Sequence, residues 1–442
     1  MKNNKIEIIK KELQEKSIAI WGMGKEGTST LSFFQKHFSD KVIAIFDDNL
    51  ELDEFKNGKK ITILNDRKKL NDYDLIFKGP GISMNNDHII ERKKITSQTD
   101  FFIKHFKNKI IGITGTKGKS TTVSLLYHIL KEKFDDTVLV GNIGVPCLDL
   151  LDEINDNTNI VFELSSHQLE YINSSPHIGV VLNVFEEHLD HYENFEKYRE
   201  AKMNIFKFQN EKDIAIFNYG LEKYVKTTAH QIRVGSDSSE ITIDNNIFTF
   251  SNEKYCIDKE STSLIGNHNI YNISIVFYIL KNHFNFSSKE MLDSLKRFQP
   301  LPHRLEYVGK YNGIHFYDDS ISTICETTME AIKSLENIGT LILGGFDRRI
   351  NYEPLAKFVS KTNVDNVILI PDTNVKLEKL FGTINHNINI KFAKNLKDAV
   401  ALSKKITKKE KVCLLSPAAS SYNEFKNFAE RGDKFKEYVI ED

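Results

Sequence analysis

The sequence predicts an α/β protein built from three consecutive units, and three observations carry that expectation. Short apolar runs of strand length alternate with segments of helical periodicity along the chain, the pattern of parallel sheets with covering helices. Two of the strand-to-helix junctions are glycine-rich, "WGMGKEG" at residues 21–27 and "GTKGKST" at residues 115–121. The length of 442 residues is about three times the ~150 residues of an ordinary domain.

In the first unit, residues 1–107, a polar amphipathic segment precedes "SIAIWGMGKEGTSTLSFFQKHF", which reads as strand, glycine turn and helix. "KVIAIFDD" and "DYDLIFKGPGIS" supply two further strands, the second closed by a Gly-Pro-Gly turn. The second unit, residues 108–299, restarts with strand, glycine loop and a helix whose Val123, Leu126, Ile129 and Leu130 share one face. "TVLVGN", "NIVFELS" and "IGVVLNV" are apolar enough for buried parallel strands. "IRVGSDSSEITIDNNIFTFSNEKYCI" alternates around a "DNN" turn and reads as a small antiparallel excursion before a long helical run. The paired prolines of "FQPLPHRLEYVG" mark the next boundary. The third unit, residues 300–442, has strands at "GIHFYDDS", "GTLILGG", "NVILI" and "KVCLLSP".

Composition narrows the function classes. Apolar residues make up 40% and charged residues 27% of the chain, with a formal net charge of −1, so nothing calls for nucleic acid or stable membrane association. Cys147, Cys256, Cys325 and Cys413 are widely spaced and form no metal or disulfide pattern. The charged N-terminus lacks the apolar core of a signal peptide. The expected compartment is the cytoplasm.

The loop "ITGTKGKSTT" lacks the distant glycine of the full G-x-x-x-x-G-K-[ST] pattern, since Ile113 stands there. It keeps Gly115 and Gly118 for a tight turn of amides, Lys119 for the β- and γ-phosphates and Ser120 for Mg²⁺. Glu163 stands in an apolar strand beside Ser165 and Ser166; a buried carboxylate is costly unless paired or metal-bound. Asn183, His188, Asp190 and Lys202 follow another strand. Gly22, Gly24 and Gly27 with Asp47 and Asp48 about twenty residues on form a dinucleotide-type motif, weak when alone. Asn269 and Asn272 share a helix face suited to a base edge, and Arg304 offers a phosphate fork.

Taken in order, "GMGKEG", "TGTKGKST", "GNIGVP", "ELSSHQLE", "NVFEEHLDHY", "YREAK", "GNHNIYN", "LPHRLE", "DDS", "GGFD" and "LSPAASSYNEFKNFAERGDKF" resemble the Mur ligase family, and within it the branch joining glutamate to UDP-N-acetylmuramoyl-L-alanine. The resemblance runs end to end. It implies an N-terminal Rossmann-like UDP-substrate domain, a central ATPase sheet and a C-terminal Rossmann-like amino-acid domain. It implies ATP and two Mg²⁺ as cofactors, UDP-N-acetylmuramoyl-L-alanine and glutamate as substrates, and a monomer. Carried over by position, Gly115, Thr116, Lys117, Gly118, Lys119, Ser120, Thr121, Asn269, Asn272, Arg304 and Asp319 match ATP-binding positions. Ser120, Glu163, His188 and Lys202 match metal ligands, Lys202 once carbamylated. Lys119, His188 and Lys202 match the reacting centre. Gly24, Lys25, Asp47, Gly79 and Asn142 match the UDP-substrate site, and Thr323, Arg349, Ser421 and Phe428 the glutamate site.

The pattern departs at the amino-acid end. Many members follow "DS" with lysine, whereas Ile321 stands here, leaving Arg349 as the basic group. An arginine fork is not a lysine point charge, so D-glutamate is expected with L-glutamate as the alternative. A folylpolyglutamate synthetase-like ligase, a non-ligating nucleotide switch and a dehydrogenase are the rival classes.

Overall fold

The structure, a computed structural model, describes residues 4–48, 55, 60–84, 89–143, 145–188, 191–258, 261–262, 264, 266–299, 302–347, 351–384 and 387–441. Arg349 and Asp190, singled out above, lie outside the described residues. The chain forms two compact units. The first runs to Thr262 and resumes at His268–Phe298; the second comprises the stretch 263–267 and the chain from Gln299 on.

The first unit carries two parallel sheets. Strands β1 (Ile18–Trp21), β2 (Ile43–Phe46), β3 (Ile61–Ile63), β4 (Leu75–Lys78) and β5 (Ile95–Thr96) pair in the order β3-β2-β1-β4-β5, with helices α1 (Asn4–Leu13), α2 (Lys25–His37) and α3 (Gln98–Phe106). β6 (Ile110–Thr114), β7 (Thr137–Gly141), β8 (Asn159–Glu163), β9 (Ile178–Val181), β10 (Ile214–Asn218) and β11 (His230–Val234) follow in the order β11-β10-β9-β6-β8-β7. Helices α4 (Lys119–Lys133), α5 (Ser166–Leu169) and α6 (Phe195–Lys207) connect them. A three-stranded antiparallel sheet, β12 (Thr242–Asp244), β13 (Ile247–Phe250) and β14 (Glu253–Cys256), precedes α7 (Asn267–Phe284) and α8 (Ser288–Arg297). One continuous core joins the two parallel sheets: Phe102 of α3 meets Phe162 of β8 edge to face at 5.8 Å between ring centroids.

In the second unit, β15 (Glu306–Tyr311), β16 (Ile314–Asp318), β17 (Ile338–Gly344), β18 (Asn366–Ile370), β19 (Asn389–Phe392) and β20 (Val412–Leu415) pair as β15-β16-β20-β17-β18-β19. Helices α9 (Cys325–Ser334), α10 (Glu353–Val359), α11 (Asn374–Gly382), α12 (Leu396–Ile406) and α13 (Phe428–Ile440) pack on it. The β15–β16 edge is antiparallel, closed by Asn312 and Gly313, both at positive φ (51° and 82°), the two-residue hairpin turn that suits strand twist.

The α/β class is as expected, with two differences of detail. The "IRV" run belongs to β11 and closes the central parallel sheet, so only β12–β14 are the antiparallel excursion. β11 alternates because an edge strand buries one face, and that alternation imitates antiparallel pairing. β3, β5, β10, β15 and β19 were not read from the sequence: β3, β15 and β19 are edge strands whose half-exposed residues give no apolar run, β5 has two residues, and the buried run of β10 was passed over.

Glycine is forced at one turn of the first sheet. A Cβ on Gly27 would lie 1.9 Å from the Gly22 carbonyl oxygen, so the α2 start cannot approach β1 with a larger residue. Gly27→Ala is expected to destabilise the first unit by about 3 kcal/mol. Thermal unfolding followed by the buried Trp21 reads it, and an unshifted midpoint refutes the argument.

Candidate functional site

The phosphate loop connects β6 to α4. Gly118, at φ 86°, caps α4 without a side-chain hydrogen bond, so the first amides of the helix face outward as an anion site. Asn183, past the end of β9, fixes the loop. Its Oδ1 accepts from the Lys117 N–H at 2.8 Å and its Nδ2 donates to the Lys117 carbonyl at 3.0 Å. The Thr116 amide donates to the Asn183 carbonyl at 2.9 Å.

Three lysines converge here. Lys119 Nζ donates to the carbonyls of Gly115 (2.9 Å) and Thr116 (3.0 Å), and Lys202 Nζ, from α6, donates to the same Gly115 carbonyl at 2.9 Å. Burial, then the Lys119 charge, push the Lys202 ammonium well below the usual lysine range. Lys117 pairs with Glu187 at 2.8 Å. Burial works against the Glu187 carboxylate, but Lys117 outweighs it and holds the group below its ordinary range. Tyr198 joins Thr116 Oγ1 (3.0 Å) to Glu187 Oε2 (3.5 Å). Ser120 and Thr121 stand in the first turn of α4. Asn269 and Asn272 are buried and bonded to each other at 3.1 Å, and a Cβ on Gly118 would lie 2.9 Å from Asn272 Oδ1.

Glu163 ends β8 in register with Ile113 of β6, fully buried. Oε1 accepts from Asn142 Nδ2 at 2.8 Å, while Oε2 is buried with no hydrogen-bond partner among the described residues. A buried carboxylate oxygen left open fits a cation.

A cavity of about 670 Å³ links this centre to the first sheet. Gly24, Lys25, Asp47, Gly79 and Asn142 line it, as do Lys119, His188 and Lys202. The glycine turns after β1 and β4 diverge at the switch point of the sheet, the usual place for a ligand. Asp47 also braces the first turn, accepting from the Met23 N–H at 2.7 Å. His188 is held at φ 57°.

Arg304, Asp319, Thr323, Ser421 and Phe428 belong to the second unit. Asp319, just past the end of β16, is buried and accepts from Ser416 Oγ (2.7 Å) and the Leu305 N–H (3.2 Å). Burial pushes its carboxyl up to about 7, against those bonds and the Arg304 charge. Ser421 is buried after β20, Phe428 opens α13, and Thr323 is half-buried in the loop before α9.

Residues 113–280 match the Mur ligase middle domain family. The chain is 33% identical to the UDP-N-acetylmuramoylalanine--D-glutamate ligase of Clostridium kluyveri over 84% of this chain and 83% of that protein. It is 32% identical to the enzyme of that name from Clostridium acetobutylicum over 97% of both. The chain belongs to the Mur ligase family. Among solved structures it resembles the MurF ligase of Thermotoga maritima in complex with ADP (TM-score 0.61, 17% identity, 96% of this chain and 95% of that one). It also resembles the MurC ligase of the same organism (TM-score 0.58, 18% identity, 96% and 99%). Those likenesses support the three-domain α/β fold.

Sequence reasoning passed over Glu187, Tyr198, Glu26 and Gln168 of this Mur ligase. Glu187 is the second acid of "FEEH", but its partner Lys117 lies 70 residues away; Tyr198 and Gln168 carry no signal in one sequence. Glu26 lines the cavity, is pushed up by burial, and accepts from Gln168 Nε2 at 2.7 Å.

Asp319 gives a pH test. Its folded pKa of about 7 lies above the ordinary value of 3.8, so its contribution is complete below pH 3.8 and is lost as pH rises through 7. The loss over that window is roughly 4 kcal/mol. Asp319→Asn is expected to gain stability relative to wild type by up to that amount between pH 4 and 7. Urea unfolding at each pH measures it, and parallel curves for the two proteins defeat the assignment.

Proposed function

We propose that this Mur ligase joins glutamate to UDP-N-acetylmuramoyl-L-alanine with ATP hydrolysed to ADP, in peptidoglycan precursor synthesis, as a cytoplasmic monomer. The observation that carries the reading is the cavity lined both by the glycine turns of the first sheet and by Lys119 of the phosphate loop and Lys202 of α6. A long nucleotide-sugar substrate with a reactive carboxylate at its far end fits that shape. The relatives of 32–33% identity carry D-glutamate in their names, and D-glutamate is the amino acid proposed. Residues 1–107 bind the UDP substrate, 108–299 bind ATP and 300–442 bind the amino acid.

A carboxylate is a poor acylating agent, so it is activated first. The γ-phosphoryl group passes from ATP to the alanyl carboxylate, ADP leaves, and an acyl phosphate remains. The glutamate amine attacks the acyl carbon, and phosphate leaves from the tetrahedral intermediate. Lys119 and the uncapped start of α4 offset the phosphate charge. Ser120 and Glu163 would hold Mg²⁺, with His188 and Lys202 at a second ion; bound there, the ions would supply charge neutralisation for the transferred phosphoryl group. Burial, then the Lys119 charge, lower the Lys202 pKa well below the usual lysine range, which favours the neutral amine that carbamylation requires. Asn269 and Asn272 would contact the adenine, Arg304 and Asp319 of the second unit are assigned to ATP binding, and Gly24, Lys25, Asp47, Gly79 and Asn142 hold the UDP substrate. Thr323, Arg349, Ser421 and Phe428 hold glutamate.

A second reading, L-glutamate addition, rests on Ile321 standing where many members carry lysine. ADP release with UDP-N-acetylmuramoyl-L-alanine and D-glutamate, L-glutamate, lysine or diaminopimelate in turn decides. D-glutamate dependence is expected; a preference for L-glutamate replaces the first reading with the second, and release independent of both substrates refutes ligation. Lys202→Ala is expected to lower kcat at least about hundredfold with the circular dichroism spectrum unchanged, and wild-type turnover in that variant would remove Lys202 from the reacting centre.

A further inference from the structure

The second unit holds a buried cation that the reaction above does not use. Arg431, in the first turns of α13, is 1% exposed. Its Nε donates to Ser320 Oγ at 2.9 Å and its Nη2 to the Ser320 carbonyl at 2.8 Å. Nη1 is buried with no partner among the described residues, and a Cβ on Gly345 would lie 3.1 Å from it. Ser320 Oγ in turn donates to the Phe428 carbonyl at 2.8 Å, and the Ser320 N–H donates to Asp318 Oδ1 at 2.9 Å.

These bonds join α13 to the segment after β16, at a point where segments that follow three different strands meet. Residues 319–323 leave β16, residues 345–346 leave β17, and residues 416–421 leave β20. The segments also bond to each other: the Ala418 N–H donates to the Ser322 carbonyl and the Phe346 N–H to the Ser420 carbonyl, both at 2.9 Å. The next residue, Gly432, admits no side chain, because a Cβ there would lie 2.1 Å from His303 Nδ1. That close approach seats the first turn of α13 against the network and fixes the depth of Arg431.

A buried guanidinium is a poor choice for stability alone, since an apolar side chain of like volume fills the space without losing hydration. Its distinct property is the planar fork, which a lysine cannot reproduce. Here the fork spans the hydroxyl and carbonyl of one residue, and so sets both the position and the rotamer of Ser320.

We propose that Arg431 is a positioning residue for the incoming amino acid, acting through Ser320 to fix the spacing between the 319–323 loop and the start of α13 at Phe428. This rests on the reading that Thr323, Ser421 and Phe428 hold glutamate. Asp319 has its own partners in Ser416 and Leu305, so the ATP side does not depend on the fork.

The test is steady-state kinetics of full-length wild type, Arg431→Lys, Ser320→Ala and the double variant, varying each substrate. Arg431→Lys is expected to raise the glutamate KM about tenfold, with kcat within about threefold and the ATP and UDP-substrate KM values within about twofold. Ser320→Ala is expected to shift the glutamate KM in the same direction, and the double variant to be no worse than the worse single one, as residues acting in one chain require. An unchanged glutamate KM in Arg431→Lys overturns the proposal, as does a uniform loss across kcat and all three KM values. Should wild type use neither hand of glutamate, the reading of the reaction fails on its own. Backbone hydrogen exchange then decides the positioning role. Faster exchange in Arg431→Lys confined to residues 318–323 and 416–428 supports it, and unchanged or global exchange overturns it.

Discussion

The double hydrogen bond from the Asn183 side chain to both backbone groups of Lys117 is the constraint on which the phosphate site depends. It does for one loop residue what a neighbouring strand does for a residue in a sheet, satisfying N–H and C=O together. With Lys117 pinned, Gly118 must turn through positive φ to start α4, and no side chain caps the helix there. The lysines then follow. Lys119 and Lys202 share the Gly115 carbonyl, an arrangement that sets two lysine amines side by side. Holding the two amines that close favours the neutral form of the more buried one, Lys202, and leaves Lys119 as the cation of the pair.

The fold was legible because parallel strands buried on both faces must be apolar along their length. β1, β6, β9 and β20 have every residue buried and stand out in the sequence. β3, β15 and β19 were not legible, since an edge strand need not be apolar and its pairing is set by a neighbour far away in the chain. The phosphate loop was readable from Gly115, Gly118, Lys119 and Ser120, because its chemistry is local. The carboxylate in β8 was readable because an acid inside an apolar strand is an anomaly with a price. Glu187, Tyr198 and Arg431 were harder for one reason: their partners lie 70, 82 and 111 residues away, and no local pattern anticipates a contact over that span.

The same device recurs at the carboxyl ends of parallel strands in all three large sheets. After β1, Glu26 accepts from Gln168, whose own Oε1 is held by the Ser165 amide through the capping box of α5. That chain of bonds ties the glycine turn of the first sheet to the turn following Glu163. After β6 the clamp is Asn183, and after β16 it is the Ser320 pair with Arg431. In each case an amide or guanidinium side chain, buried in Gln168 and Arg431 and half-buried in Asn183, places donors of fixed geometry on backbone or on one polar partner. Hydroxyls alone could not do this, because a single rotatable donor fixes a distance but not an orientation.

These clamps sit at strand ends for a physical reason. Inside a sheet the ladder satisfies every backbone group, whereas the loops that leave it lose those partners at the point where they must hold a precise shape. Rigid loops of small residues have little apolar surface with which to order themselves, so hydrogen bonds must supply the order. A hydrogen bond in a buried setting is worth keeping only if both partners stay paired, which makes each clamp nearly all-or-none. The cost falls on groups that remain incomplete, Glu163 Oε2 in the first unit and Arg431 Nη1 in the second. The first lies where a cation would complete it. The second lies where the loops after β16, β17 and β20 converge, so a buried donor stays open beside those segments.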